Sequence, residues 1–185
     1  MKPLILFKLK EFLRQSYYHR VPGFSIGLCR IAIGLMWIRA ASWKTPPDFG
    51  QATDSQLWAW TQQAIQHPTF GWYKAFLEGM VLPHFVFFGY LLLALELYTG
   101  LSLAVGFLAR LSAAIGLLLS LNLFIAMSSV PYEWPWAYFM LIMFHSIFLL
   151  TGPGQNLGLD QILLEKMANW PTSRAGWKGF LMRLI

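Results

Sequence analysis

A chain of 185 residues with 57% hydrophobic, 17% aromatic and only 12% charged residues is too apolar for an ordinary soluble domain, in which about 25% are charged. The net charge of +6 would suit a nucleic-acid binder, but the basic residues gather at the ends of apolar segments, which is a membrane pattern and argues against nucleic acid. A single cysteine, Cys29, excludes an intrachain disulfide and a Cys-x-x-Cys redox pair.

In chain order, Ile5, Leu9, Phe12 and Leu13 recur at helical spacing against Lys8, Glu11, Arg14 and Gln15. That pattern predicts an amphipathic helix over 4–18, suited to lying on a membrane surface and ended by Pro22-Gly23. Lys8 and Lys10 interrupt the apolar run, and no small-residue cleavage site follows, so a cleaved signal is not expected. The first span is predicted at about 21–43, with Arg30 in its middle and Arg39 near enough to one end to snorkel.

Residues 44–80 carry Pro46-Pro47, His67-Pro68 and many aromatics, among them Trp58, Trp60, Trp72 and Tyr73. They read as an interfacial helical cap on the outer side, because Trp and Tyr favour the headgroup layer. Thr53-x-x-Gln56 resembles a capping box for a helix to Gln66, and a second short helix is expected over Gly71–Met80. Further spans are predicted at about 83–104, 108–127 and 135–151, separated by a tight turn at Gly106 and by the Pro131 and Pro135 loop. Asp160 is placed to cap a surface helix running to about Asn169, and Trp177–Ile185 is again amphipathic and basic.

The fold class expected is therefore an all-α integral membrane protein. It is a four-transmembrane-helix bundle with amphipathic terminal helices and an outer cap, forming one domain over 1–185. Lys2, Lys8, Lys10, Arg14, Arg20, Arg110, Lys166, Arg174, Lys178 and Arg183 fall on the side of the termini, against Lys44 and Lys74 on the other. The positive-inside rule then makes both termini cytoplasmic, in a plasma membrane or other energy-transducing membrane.

The stretch Leu91–Arg110 holds the most costly residue, Glu96, behind the apolar run Leu91–Leu95. A charge at such depth costs ~2.5–3.5 kcal/mol on insertion scales, so it needs a partner, a proton or a function. Counted from the predicted cytoplasmic helix ends, Arg30 and Glu96 are each about 12 Å deep and His145 is within about a turn of them. The count predicts a single polar tier of Arg30, Glu96 and His145, with Arg30 and Glu96 paired and Asn122 lying further out. Either the pair only lets two helices coexist in lipid, or the tier binds a ligand such as a quinone headgroup. No zinc spacing, haem-ligand pair, nucleophile–base set or phosphate-binding loop is present, so no metal site is expected and no catalytic residue is assigned.

The combination Arg30-x-x-x-Gly34-x-x-Trp37 with Lys44, Glu96-x-x-x-Gly100-x-x-x-x-x-Gly106-x-x-x-Arg110, and Gly152-Pro153-Gly154 with Leu159-Asp160 resembles the DoxX family. That family includes DoxD, the small subunit of archaeal thiosulfate:quinone oxidoreductase. The resemblance implies a four-helix membrane subunit of a redox assembly with protein partner subunits, and quinone-linked electron transfer from sulfur compounds. A non-catalytic accessory subunit of a respiratory or photosynthetic complex is the alternative. No covalently bound cofactor is expected. The segment 44–80 is larger than a minimal member needs, which points to a partner on that face.

Overall fold

The computed structural model describes residues 23–168 and 175–185, so the amphipathic helix expected at 4–18 lies outside them. The described residues are helical throughout, with turns between helices and no strand. In order they form α1 (Gly23–Ala41), α2 (Gln56–Gln66), α3 (Gly71–Phe76), α4 (Phe85–Val105), α5 (Ala109–Met127), α6 (Pro135–Thr151), α7 (Leu159–Ala168) and α8 (Ala175–Leu184). Helices α1 and α4 pack along each other, as do α5 and α6, and α4 packs on α5 to join the two pairs.

Among the described residues, three helical stretches are long and apolar enough to cross a membrane: Gly23–Ala41, Gly71–Val105 and Ala109–Met127. The fourth expected span, Pro135–Thr151, is apolar but has 17 residues, about 25 Å at ordinary helical rise. Leu35, Phe87, Leu118 and Leu150 project from these helices, with Leu150 75% exposed. Such a surface is unfavourable in water but is the ordinary lipid face of a membrane bundle.

Two local expectations are corrected. The helix expected to end near Met80 does not end there: residues 71–105 form one helical stretch of about 52 Å by rise. Pro83 lacks an N–H and crowds the preceding turn, and a π turn at Leu77–Val81 with a 3-10 turn at Leu82–His84 absorbs that conflict without breaking the helix. Nor does Thr53 cap α2. Ser55 is the N-cap residue and makes no side-chain cap, while Gln56 Oε1 accepts from the N–H of Thr45 at 2.9 Å and its Oγ1–H at 2.7 Å. Gln56 thus ties the loop after α1 to the cap instead of closing its own helix.

Gly34 and Gly100 let α1 and α4 approach closely. A Cβ on Gly34 would lie 2.6 Å from the Ala104 nitrogen, and one on Gly100 2.8 Å from the Ile38 nitrogen. Two apolar cores result. One, around Ile33, Trp37, Leu103, Leu119 and Phe148, fills the bundle. The other, around Phe49, Ile65, Tyr73, Leu77, Phe85 and Met127, fills the space beneath α2. Phe49 anchors the loop that enters this second core, its ring occupying the notch left by Gly89.

Candidate functional site

Lys44 lies three residues beyond α1, in a turn closed by its own N–H donating to Ala41 O at 3.1 Å. Its side chain reaches back into the bundle. Nζ donates to Glu96 Oε2 at 2.6 Å and to Ala40 O at 3.1 Å, and stands 4.2 Å from the centroid of the Trp43 ring. Both side chains of the pair are almost fully buried. Burial lowers the pKa of Lys44, and the charge and hydrogen bond of Glu96 oppose that shift. Two of the three ammonium N–H groups go to oxygen acceptors, and the third has only the face of the Trp43 ring beside it among the described residues, a weaker partner that an oxygen acceptor can replace.

Lys44 lines a cavity of about 520 Å³ formed by the end of α1, α2, the α3–α4 stretch, α5 and the start of α6. Its walls are mostly apolar, formed by Leu57, Leu77, Phe85, Leu92, Leu95, Leu123 and Met127 among others. Polar groups enter at separate points: Lys44 with Glu96, Tyr73 with Asn122, and Glu133 with Tyr138. Tyr73 Oη donates to Asn122 Oδ1 at 2.9 Å, and Tyr138 Oη donates to Glu133 Oε2. A large apolar pocket with a few convergent polar groups is the usual form of a small-molecule site.

The predicted pairing of Arg30 with Glu96 does not occur. Arg30 Nη1 donates to Leu103 O and to Ala104 O (3.2 Å), and Nη2 to Leu157 O (2.9 Å) and Asn156 O (3.4 Å). From Leu103 to Glu96 is seven residues, about 10 Å along α4, so the two charges stand on different levels. Counting depth from helix ends assumed that α1 and α4 end flush. They are staggered: Gly106 lies against Arg30, while Gly23 and Gly27 run on past that turn and pack on Asn156.

His145 is buried between these levels. Its Nε2 accepts from Trp37 Nε1–H at 3.0 Å, and its Nδ1–H donates to Leu141 O at 2.7 Å, which fixes a neutral tautomer. Gly116 makes room for the ring, which a Cβ there would overlap. Of the three residues expected to form one tier, only Glu96 lines the cavity.

Asp160 is also corrected. It does not cap its own helix but receives the N–H groups of Leu108 (2.7 Å) and Ala109 (2.9 Å), capping α5 from across the Gly106 turn. Burial raises the pKa of this carboxyl, and those two N–H groups and the Arg30 guanidinium oppose the shift. Sequence reasoning missed Tyr73, Asn122, Glu133 and Tyr138 as cavity residues. Their only signal was polar character within aromatic or apolar runs, and nothing local shows that those runs meet.

Residues 26–181 match the protein family DoxD, described as the TQO small subunit DoxD. The chain belongs to the DoxD family. The DoxD match extends from α1 into α8 and so includes every helix that lines the cavity. Membership and the apolar helices together make this a multi-pass membrane protein. No curated protein and no solved structure gives a match.

Proposed function

We propose that the chain is the membrane subunit of a redox assembly of the thiosulfate:quinone oxidoreductase kind, and that the cavity beneath the cap seats a quinone headgroup. The observation that carries this reading is the cavity itself: about 520 Å³, largely apolar, with the buried Lys44–Glu96 pair in its wall. The family description, a small subunit of TQO, supports both a protein partner and a quinone acceptor. When bound, a quinone accepts or returns electrons and protons as a pair-wise carrier.

The chain's own residues bind, orient and exclude water. Lys44 offers its third N–H to a carbonyl-type oxygen, and Glu96 holds the ammonium in place. Leu57, Trp60 and Phe85 screen the cavity, which strengthens any hydrogen bond made inside it. Glu133 is half-buried at the rim, hydrogen-bonded to Tyr138, and is positioned to exchange a proton between water and the cavity.

The arrangement in the membrane follows from length and charge. In this reading Pro135–Thr151 serves as a fourth, short span extended by Trp134 and Trp136, with the Gly106 end and both termini on the cytoplasmic side that the excess of basic residues favours. The cap then faces outward, where a partner subunit docks.

Two measurements test the reading. Purification from the native host in mild detergent should bring down a partner subunit and an extractable quinone. Titration of the purified chain with a short-chain quinone should quench the fluorescence of Trp43 and Trp60, and Lys44→Met should weaken that binding about tenfold, the scale of a hydrogen bond to a charged group. A chain that carries no quinone and binds none on titration overturns the proposal.

A further inference from the structure

Asn122 is a polar side chain in the last two turns of an apolar helix, α5, and it lines the same cavity as Lys44. Its Oδ1 is taken by the hydroxyl of Tyr73 at 2.9 Å. A phenol that donates to the amide oxygen fixes which way the amide faces. The amide NH₂ then has no hydrogen-bond partner among the described residues. With no acceptor on the described residues, that amide nitrogen is free to donate to whatever occupies the cavity.

The cavity thus presents two donors from two helices, the third N–H of Lys44 and the amide of Asn122. Their separation along the bundle follows from the packing of α4 on α5, where a Cβ on Gly116 would meet Thr99 and Ser112 Oγ donates to Thr99 O at 3.1 Å. Glu96 is three residues from Thr99, and Asn122 is six from Gly116, both toward the cap. By helix rise from these two contacts Asn122 stands roughly 4–10 Å nearer the cap than Glu96, and on a different helix, so the two donors are set apart along and across the cavity.

We propose that Asn122, held by Tyr73, is a specificity-determining residue of the cavity, donating to the second acceptor of a ring ligand whose first acceptor meets Lys44. The ligand class is a planar apolar ring with oxygen acceptors on opposite edges. A ring with one acceptor satisfies Lys44 but leaves the Asn122 amide unpaired, and is selected against for that reason. This inference rests on the quinone reading above and names the residue that gives it selectivity.

The test uses the full chain in detergent and two probes, a decyl-substituted benzoquinone and a decyl-substituted cyclohexenone with a single carbonyl. Binding is read from the fluorescence of Trp43 and Trp60, which line the cavity. Asn122→Asp keeps an acceptor for Tyr73 and removes the donor, and Asn122→Leu removes both, with thermal melting reporting that each variant folds. The expected result is a loss of about fivefold to tenfold for the two-carbonyl probe in either variant, and little change for the one-carbonyl probe. Equal losses for both probes, or no loss for either, overturn the role of Asn122 while leaving the quinone reading intact. If the wild-type chain binds neither probe, the quinone reading fails and this inference fails with it.

Discussion

Lys44 and Glu96 illustrate how a charge survives in a bundle of this kind. Neither is tolerable alone in so apolar a setting, and each is tolerable because the other is 2.6 Å away. Removing one partner should therefore hurt more than removing both. Lys44→Met and Glu96→Gln are each expected to lose ~3–5 kcal/mol in detergent stability, and Lys44→Met with Glu96→Gln much less than the sum. Strict additivity in that cycle would show that the pair is not coupled. Gly116 makes a separate prediction at the same scale. Gly116→Ala places a methyl group in the His145 ring, so it should cost ~1–3 kcal/mol through displacement of His145 from Trp37. A fluorescence shift specific to Trp37 would report it, and an unchanged melting point with unchanged Trp37 emission would refute it.

At the level of elements, the decisive feature is the turn between α4 and α5. Gly106 takes φ 70°, which closes α4 in a left-handed residue where a side chain is strained. The helix ends that meet there carry opposite partial charges. Arg30 answers the carbonyls at the end of α4, and Asp160 answers the N–H groups at the start of α5. A guanidinium and a carboxylate from distant parts of the chain thus clamp one turn. Asp160→Ala should cost ~1–2 kcal/mol, in the range of a lost helix cap. The amides of Leu108 and Ala109 should exchange hydrogen markedly faster in that variant, and unchanged protection at those two amides would show that Asp160 is not their cap.

For the whole molecule, the stagger of α1 against α4 separates three functions along one axis. The Gly106 end is an ion-capped structural joint, the middle is a buried His145–Trp37 contact, and the cap end is a cavity with the Lys44–Glu96 pair. Orientation in the bilayer can be measured directly. With Cys29 replaced by alanine, cysteines at the exposed positions Gln51 and Gln155 should label from opposite sides of intact cells, Gln51 from outside. Labelling of Gln155 from the outside would invert the topology.

The sequence by itself determined the class of the protein, because apolar runs of span length and basic residues at their ends leave no soluble alternative. It also located the Gly106 turn, the close-packing glycines and the costly residues Arg30, Glu96 and His145, since each breaks a local rule visible in the letters alone. Which charge answers which was not legible. Helix lengths give depth only if neighbouring helices end together, and the two-turn overhang of α1 moved Arg30 away from Glu96 and brought Lys44, apparently an interfacial lysine, to its side. The cavity was equally hidden, for it exists only where the cap, α4, α5 and α6 converge, and no local pattern records a space between four separate segments. A residue's cost in lipid is a property of its own neighbourhood in the chain, whereas its partner is chosen by how the helices slide against one another.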